Sequence, residues 1–513
     1  MNAPGSSPTA VPHTGPYFCE MPSDPCAIIM FGASGDLARR KLMPALYDLA
    51  FHACLAPSFR LLGFARTKMN DDDFRKSASE FLPKGQEEGA DESKKAEFLK
   101  CLQYFSGDYD NPEAFQKLSK HLDELDSEGK LGGNRLFYLA TPPEVYPHVV
   151  QQLKKVNLTE PKNRKSWTRI IIEKPFGRDL ASAKELNKTV LDSFDESQVY
   201  RIDHYLGKET VQNMLVFRFG NGIFEPLWNR NYIDSVQITA AESLGVERRA
   251  AFYETAGAMR DMIQSHVLQL TSLVAMEAPA TFDATAVRNE KIKVLQSMRP
   301  FDNELVWKTV VRGQYGPGQI DGKPVPGYRQ EPGVKPDSST DTFVALKLFV
   351  DNWRWSGVPF YLRSGKRLAH PRTEVAIMFK SAPHMVFRGE STEPNSLVLN
   401  IQPDEGISLS FGAKSPGAQM HIRPVKMDFE YKSTFGANTR PAYATLINDC
   451  IRGDATLFDR ADSVEAAWSL VDPVLNAWES ASAPPFPNYP AGSAGPRAAD
   501  DLAASDGRQW RPL

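Results

Sequence analysis

The sequence lacks any run of about 20 consecutive apolar residues, the length that a helix needs to cross a bilayer. It also has no lysine or arginine before Arg39, so the first residues have neither the charged start of a signal peptide nor the Arg-rich pattern of a transit peptide. We therefore expect a cytoplasmic protein with no membrane partner.

Cysteine is scarce, and no two cysteines form a CxxC pair. The count is odd and the spacings are long, which argues against a disulfide framework and against a zinc site. We expect free thiols in a reducing compartment and no bound metal. The five cysteines are Cys19, Cys26, Cys54, Cys101 and Cys450.

The chain also lacks an excess of charge, with a formal net charge of −3 over 513 residues. This balance gives no reason to expect a nucleic-acid partner, and any anionic ligand must be held by local basic groups. The length favours two domains over one.

Residues 1–24 are rich in Pro, Ser, Gly and Ala and are expected to form a flexible tail. Four short apolar runs follow, separated by helical patterns, which is typical of βαβ units and a doubly wound parallel sheet. We predict an α/β, Rossmann-like domain over 25–203. The four predicted strands are 27–31, 59–64, 135–140 and 169–173.

After about residue 205 the strand patterns alternate between apolar and polar residues, which is typical of an antiparallel sheet with one face in water. Helical stretches near 254–276 and 462–481 are expected to cover the other face. We predict an α+β domain over 204–513, and we expect the segment after Pro484 to run over the surface. The predicted strands are 235–239, 343–348, 375–379 and 396–401.

The first strand ends in Gly32-Ala33-Ser34-Gly35 and leads directly into a helix. A buried strand, a glycine turn and a helix start form the place where a Rossmann fold binds a pyrophosphate. The first glycine of the usual fingerprint is missing, so a tight strand–helix turn without a ligand remains open. After the second strand comes Arg66 in place of a ribose-binding carboxylate, which favours NADP because a guanidinium can bind the 2′-phosphate. A merely solvated Arg66 is the alternative.

Two further segments carry candidate chemistry. Lys174, in EKPFG at the end of the Ile-rich strand, faces the crevice where cofactor and substrate would meet, although a plain strand-end loop remains open. In RIDHYLGKE, a helix starting near His204 would place His204 and Lys208 on one face, suited to a phosphate monoester.

His266 lies in an apolar helix, where a histidine is usually a structural residue, but the histidine side chain ordinarily titrates near neutral pH, as a base for a sugar hydroxyl should. Asp203 is the candidate to orient its imidazole. The five-residue spacing between Asp261 and His266 does not by itself put both on one helix face.

With these segments together, the chain resembles the glucose-6-phosphate dehydrogenase family over nearly all of its predicted ordered length. The matching motifs are GASGDLARRK, GFART, EKPFG, RIDHYLGKE, RDMIQSHVLQL and GVPFYLRSGKRL. The resemblance implies oxidation of the C1 hydroxyl of glucose 6-phosphate to the 6-phospho-lactone with reduction of NADP, the first step of the oxidative pentose phosphate pathway. It also implies a homodimer or homotetramer formed through the C-terminal domain.

The resemblance also implies roles for individual residues. His266 would be the general base and Asp203 would orient it, while Lys174 would contact both ligands. The implied substrate residues are Lys174, His204, Tyr205, Lys208, Glu242, Asp261 and Lys366, with Gln402 as a further candidate. The implied cofactor residues are Gly32, Ser34, Gly35, Asp36, Leu37, Arg66, Asp108, Tyr109, Tyr146 and Lys174.

Two positions depart from the family pattern. Pro371 stands where members often carry a basic residue, and Arg372 follows it. Asn400 stands where members with a second, structural NADP carry an arginine, so we expect no structural NADP. Two rival functions remain: a sugar dehydrogenase without a phosphate clamp, and a sensor that binds NADP without turnover.

Overall fold

The computed structural model describes the chain in segments, and the following statements about the fold concern these. They comprise residues 19, 22–84, 91–384, 386–387, 393–417, 420–435, 440–480 and 484–513. Most of the predicted tail over 1–24 therefore lies outside the described residues.

The N-terminal region contains a six-stranded sheet in which every pair of neighbouring strands is parallel. Its strand order, β3-β2-β1-β4-β5-β6, is that of a doubly wound nucleotide-binding fold. The prediction of a Rossmann-like sheet is confirmed. The strands are β1 (Ala27–Phe31), β2 (Arg60–Ala65), β3 (Leu102–Ser106), β4 (Arg135–Leu139), β5 (Thr168–Ile172) and β6 (Val199–Arg201).

The two central strands, β1 and β4, are buried along their whole length, as expected for a parallel sheet packed between helices. A short π-helical turn, Ala38–Leu42, precedes the first α-helix. The helices of this region are α1 (Met43–Phe51), α2 (Asp71–Ser79), α3 (Glu92–Lys100), α4 (Pro112–Ser127), α5 (Tyr146–Lys155) and α6 (Leu180–Leu191). The next helix, α7 (Glu209–Phe219), packs against the C-terminal region.

The C-terminal region contains an eight-stranded sheet of order β17-β16-β15-β14-β7-β13-β12-β8. All neighbours are antiparallel except β7 and β13, so the prediction of a large, mainly antiparallel sheet is confirmed. Two small two-stranded sheets, β10-β11 and β18-β9, lie beside it. The strands are β7 (Ile233–Ala241), β8 (Val310–Gly313), β9 (Tyr315–Gly316), β10 (Gly318–Ile320), β11 (Lys323–Val325), β12 (Phe343–Phe349), β13 (Pro359–Gly365), β14 (Arg372–Phe379), β15 (Ser396–Gln402), β16 (Gly406–Lys414), β17 (Ile422–Glu430) and β18 (Tyr489–Pro490).

The predicted helix over 254–276 is interrupted. It consists of α8, a π-helical segment Met259–Val267, which we call the π segment, and α9. The chain bends at Gly257, whose φ is +62°. The helices are α8 (Ala250–Ala258), α9 (Leu268–Ala275), α10 (Ala284–Ser297), α11 (Asn303–Thr309), α12 (Tyr431–Phe435), α13 (Ala442–Arg452), α14 (Ala461–Ser480) and α15 (Arg497–Ala504).

Helices α13 and α14 return to pack on the N-terminal region, against α1 and α6 respectively. Arg169 on β5 donates to the carbonyl oxygens of Cys450 and Ile451, at 2.8 and 2.6 Å. The indole nitrogen of Trp468 donates to the carbonyl oxygen of Phe176 at 2.9 Å. One apolar core therefore runs through both regions.

The expectations for the cysteines and for the C-terminal segment are wrong. Cys19 and Cys54 form a disulfide, because the chain before β1 runs back along the end of α1, with Ser23 N–H donating to Cys54 C=O at 2.8 Å. The other three cysteines are free. The segment after Pro484 does not merely cover the surface, since Tyr489, Leu502 and Trp510 are buried in a second apolar core.

No helix in the described part of the chain is both long enough and apolar enough to cross a membrane.

Candidate active site

The loop after β1 has the backbone that a dinucleotide phosphate site requires. Gly32 has a φ of +85°, and a Cβ there would lie 2.3 Å from the carbonyl oxygen of Ala140, so only glycine fits. Gly35 N–H donates to Gly32 C=O at 2.9 Å, and the first helical turn begins at Ala38. The start of this turn lies just beyond the strand, where the partial positive charge of a helix start favours an anion.

The other predicted residues of this loop differ in their surroundings. Ser34 is half-buried, whereas Asp36 is exposed and pairs with Arg40 at 2.7 Å. Leu37 packs partly against the core. The loop is therefore anchored at Leu37 and open at Asp36.

Arg66 is exposed at the neighbouring strand end, just after β2, with its guanidinium carbon 5.8 Å from the centre of the Tyr109 ring. The next residue, Thr67, joins this strand end to the glycine loop, since its hydroxyl lies 3.0 Å from that of Ser34. Its carbonyl accepts a hydrogen bond from the hydroxyl of Tyr104 at 2.7 Å. Neither Thr67 nor Tyr104 was predicted as a site residue from the sequence.

Three further residues were predicted at the cofactor site. Asp108 is exposed, and Tyr109 is buried against Phe64, with ring centres 6.0 Å apart. Tyr146 is only 1% exposed, and its hydroxyl donates to the carbonyl oxygen of Glu173 at 3.0 Å. Tyr146 thus supports the end of β5, and direct contact with a cofactor stays a prediction.

The structure brings His266 and Asp203 together from segments 63 residues apart. Nδ1 of His266 lies 2.5 Å from Oδ1 of Asp203, and both side chains are almost fully buried. The same oxygen accepts the backbone N–H of Tyr205 at 3.0 Å, which fixes the carboxylate. Burial opposes the charge of Asp203, yet the imidazole of His266 holds the pKa of that carboxyl well below its usual range.

Lys174 determines which nitrogen of His266 carries the proton. Its Nζ lies 2.6 Å from Nε2 of His266, and an ammonium group can only donate. Nε2 must therefore accept, so the proton is on Nδ1 and is donated to Asp203. This is the tautomer of a base. Burial lowers the pKa of His266, and Asp203 offsets only part of that effect.

The π segment explains how Asp261 reaches the same site. A π-helix closes hydrogen bonds between residues five apart, so positions 261 and 266 lie on one face, which an α-helix would not achieve. Lys174 Nζ contacts Oδ1 and the carbonyl oxygen of Asp261, at 3.1 and 2.7 Å, as well as His266. Lys174 therefore links Asp261 and His266, whose five-residue spacing in the sequence did not show whether they lie on one helix face.

Glu242 and Lys366 form an ion pair at the ends of the parallel strands β7 and β13. The Nζ of Lys366 also lies 5.0 Å from the centre of the Tyr253 ring. The backbone on both sides is fixed, because Leu368 N–H donates to Glu242 C=O at 3.0 Å. A carboxylate and an ammonium in contact offer both an acceptor and donors for sugar hydroxyls.

The predicted helix start near His204 is wrong, because α7 begins only at Glu209. Residues 203–208 form turns in which Leu206 N–H bonds Asp203 C=O and Lys208 N–H bonds Tyr205 C=O, at 3.0 and 3.2 Å. These turns, rather than a helix face, bring His204 and Lys208 together against Tyr205, whose ring centre lies 5.1 Å from that of His204.

The predicted phosphate-binding residues surround the base. The Tyr205 ring stacks on His266 with centres 4.1 Å apart, and His204 meets His266 edge-on at 4.8 Å. Lys208 Nζ lies 4.3 Å from the centre of the Tyr205 ring. Burial lowers the pKa of Lys208 to about 8 and the pKa of His204 well below its usual value, so Lys208 carries the positive charge near neutral pH.

A buried network around Glu173 was not assigned a role from the sequence. Glu173 accepts the hydroxyl of Tyr138 at 2.6 Å and also hydrogen-bonds Tyr443, whose ring stacks on His204 at 5.9 Å. Burial raises the pKa of Glu173 to about 7. Only its place next to Lys174 in EKPFG could have signalled it.

At the positions that depart from the family pattern, Arg372 donates to the carbonyl oxygen of Pro512 at 2.6 Å, and Asn400 donates to Ser408 at 3.4 Å. Arg372 is therefore engaged with the C-terminal segment.

Ligand atoms of Asp203, His204 and His266 lie within 4.8 Å of one another, a spacing that could accommodate a metal ion. The Nε2 atom of His266 faces the ammonium group of Lys174, which would repel a cation. The absence of a metal stays a prediction.

Comparison with known proteins gives two family models that together cover most of the chain. Residues 29–213 match the model "Glucose-6-phosphate dehydrogenase, NAD binding domain", and residues 215–511 match "Glucose-6-phosphate dehydrogenase, C-terminal domain". The glucose-6-phosphate 1-dehydrogenase of Chlamydia pneumoniae is 48% identical, covering 95% of this chain and 96% of that protein. The Bacillus subtilis protein of the same name is 44% identical, covering 94% and 97%.

Solved structures agree. A glucose-6-phosphate dehydrogenase in complex with its substrate glucose-6-phosphate superimposes with a TM-score of 0.88 at 37% identity, covering 96% of this chain and all of that one. The enzyme from Mycobacterium avium gives a TM-score of 0.78 at 34% identity, covering 96% and 99%. This chain, with its two matched domains and its relatives along nearly the whole length, belongs to the glucose-6-phosphate dehydrogenase family.

Proposed function

We propose that this protein oxidises the C1 hydroxyl of D-glucose 6-phosphate to 6-phospho-D-glucono-1,5-lactone, with reduction of NADP to NADPH. The observation that carries the proposal is the contact of His266 with Asp203 on one ring nitrogen and with Lys174 on the other. This arrangement provides a neutral base beside a cation, next to a lysine-bearing pocket for a phosphate. Such a reaction supplies NADPH at the first step of the oxidative pentose phosphate pathway.

The proton step belongs to His266. Its Nε2 accepts the proton of the C1 hydroxyl, and the positive charge that forms on the ring is stabilised by Asp203 at Nδ1. When the substrate binds, its C1 hydroxyl takes the place of Lys174 at Nε2 of His266. Lys174 keeps its contacts with Asp261, and from there its ammonium group can donate a hydrogen bond to the reacting oxygen. Because the pair is buried, little water competes for these hydrogen bonds.

NADP, when bound, supplies the acceptor for the hydride that leaves C1. The residues present fit such a group, because Gly32 and Gly35 allow close approach of the backbone and the helical turn at Ala38 starts just beyond β1, where a helix start favours a phosphate. Arg66, close in sequence to Thr67, whose hydroxyl contacts Ser34 of the glycine loop, would hold the 2′-phosphate.

The remaining contacts select and hold the substrate. Lys208, His204 and Tyr205 would bind the phosphate, and Glu242 and Lys366 would bind the sugar hydroxyls together with Asp261. Phosphate binding far from C1 contributes energy that positions C1 against the base. A pocket of this kind distinguishes the proposal from a sugar dehydrogenase that lacks a phosphate clamp.

We also propose that the protein is a homodimer or homotetramer formed through the C-terminal sheet, located in the cytoplasm. The assembly is supported by the edge of that sheet, where the nine-residue strand β17 exposes Val425 and Met427. The disulfide of Cys19 with Cys54 argues against the cytoplasm, because disulfides persist mainly in oxidising compartments. Cell fractionation tests which compartment holds the protein.

The first experiment is the initial rate of NADP and NAD reduction, followed at the nicotinamide absorbance, with glucose 6-phosphate and separately with glucose. We expect rapid NADP reduction with the phosphorylated sugar alone. Equal rates with glucose would favour the sugar dehydrogenase, and no reduction with either sugar would favour a sensor. The ratio of NADP to NAD rates measures the preference for the 2′-phosphate, to which Arg66 would contribute.

A further inference from the structure

A chain of hydrogen bonds runs from Lys208 through two side chains of the large sheet to Tyr205. The ammonium group of Lys208 contacts Oε1 of Gln402, and an ammonium group has no acceptor. The amide of Gln402 therefore points its oxygen at Lys208. Its NH₂ group must face the other way, toward Thr373.

Thr373 continues the chain. Nε2 of Gln402 donates to its Oγ1 at 3.1 Å, and the same hydroxyl is hydrogen-bonded to Tyr205. Because Thr373 already accepts from the amide, its own hydrogen is available for the phenol oxygen of Tyr205. Burial raises the pKa of Tyr205, and the hydrogen bond with Thr373 opposes part of that rise.

The position of Thr373 depends on an irregularity of the sheet. Strand β14 pairs with β15 in a register that shifts between Thr373 and Glu374, and Thr373 lies opposite Gln402 at the end of β15. Such shifts re-aim a side chain at a strand end. Both residues of this hydrogen bond are buried, since Thr373 is 1% exposed and Tyr205 is 5% exposed.

We propose that Thr373 is a positioning residue for the substrate phosphate. By donating to Tyr205, it leaves the hydroxyl hydrogen of Tyr205 free for a phosphate oxygen held by Lys208. Each donor in the series Lys208, Gln402, Thr373 and Tyr205 thus points toward the next group and finally toward the anion. This inference rests on the proposed function, since it concerns the phosphate of the same substrate.

Three variants test it. Thr373→Val keeps the shape of the side chain and removes the hydroxyl, Thr373→Ser keeps the hydroxyl, and Thr210→Val is the matched control. Thr210 is also buried, but its hydroxyl has no hydrogen-bond partner within the described ranges. The readouts are kcat, the KM for glucose 6-phosphate, the KM for NADP, and calorimetric binding of glucose 6-phosphate without cofactor.

We expect Thr373→Val to raise the KM for glucose 6-phosphate and its calorimetric Kd about tenfold, the effect of a lost buried hydrogen bond. The kcat should stay within about twofold, because the phosphate contact is the same in the ground state and the transition state. Thr373→Ser should stay close to the wild type in both constants, and Thr210→Val and the KM for NADP should not change.

Several results would overturn the inference. One is a KM and Kd of Thr373→Val equal to those of the wild type, and another is a Thr373→Ser variant as weak as the valine variant. If Thr373→Val fails to fold, a folded Thr373→Ser with wild-type constants would support the inference and one with a raised Kd would overturn it. Failure of the proposed function is distinct, because the wild type itself would then not oxidise glucose 6-phosphate.

Discussion

The base form of His266 depends on its two neighbours at the scale of single atoms. Asp203 accepts the proton on one nitrogen, and Lys174 donates to the other. Neither contact could be exchanged with the other, because a carboxylate only accepts and an ammonium only donates. The residue types therefore decide the tautomer as well as the position of the ring.

Replacing His266 with asparagine removes the base while keeping a polar group of similar length beside Asp203. We expect kcat to fall by about 10²- to 10⁴-fold, the usual contribution of a general base, while the KM for glucose 6-phosphate changes little. Steady-state rates measure both. The control is His148→Asn, since His148 is exposed and pairs with Asp110 at 2.8 Å. A His266→Asn enzyme with near wild-type turnover would remove His266 from the proton step.

Lys208 gives the reaction a pH dependence through substrate binding. Burial lowers the pKa of Lys208 to about 8, so its positive charge is present below that pH and is lost as the pH rises through it. We expect the KM for glucose 6-phosphate to rise above about pH 8 in initial-rate profiles. Lys208→Arg, which stays charged, should remove this rise even if its KM is higher throughout. A KM that rises equally in both enzymes would assign the effect to another group.

At the scale of elements, the catalytic face depends on the bend between α8 and the π segment. Asp341 accepts the N–H of Met259 at 2.8 Å and so caps the segment that carries Asp261 and His266. Gly257 lies against this carboxylate at a φ of +62°, and a Cβ would approach Oδ1 of Asp341 to 2.4 Å. The bend, the cap and the catalytic pair are therefore one unit.

Gly257→Ala should displace this unit. We expect a loss of about 2 kcal/mol in unfolding free energy, because the φ is unfavourable for alanine and the Cβ meets a buried carboxylate. We also expect at least about a tenfold drop in kcat, since small misplacements of catalytic groups are costly. Denaturant unfolding and initial rates measure the two effects.

The control for this change is Gly357→Ala. Gly357 also has a positive φ, +85°, but a Cβ there would meet no atom within 4 Å. Gly357→Ala should lose stability only because alanine disfavours the positive φ, and it should keep the kcat of the wild type. Equal losses in both variants would contradict a special role for the contact with Asp341.

Single elements were predicted well where their surroundings are uniform. Strand β1, buried on both faces, has the predicted bounds, and α14 differs from the predicted helix by one residue at each end. The short strand β6 was not predicted as such, and α7 was expected too early. In that segment the turns are set by hydrogen bonds to Asp203 rather than by a periodic pattern.

At the scale of the whole molecule, the edge of the large sheet tests the proposed assembly. Met427 on β17 is 61% exposed, and we expect it to be covered in a homodimer or tetramer. Met427→Arg should shift the sedimentation-equilibrium mass toward one chain, because a buried unpaired charge is unfavourable. The control Trp353→Arg changes a 95% exposed side chain and should leave the mass at that of the wild type. A Met427→Arg protein with wild-type mass would place the interface elsewhere.

The sequence by itself determined the two kinds of sheet, the glycine loop and the residue types of the site, because local periodicity and motif chemistry are written in short segments. The tertiary structure decided which of these segments meet. It joined Asp203 to His266 across 63 positions, placed Asp261 beside the base through a π-helix, and returned α13 and α14 to the N-terminal region. It also paired Cys19 with Cys54. Such contacts depend on how the chain packs in three dimensions, and spacing along the sequence does not encode them directly.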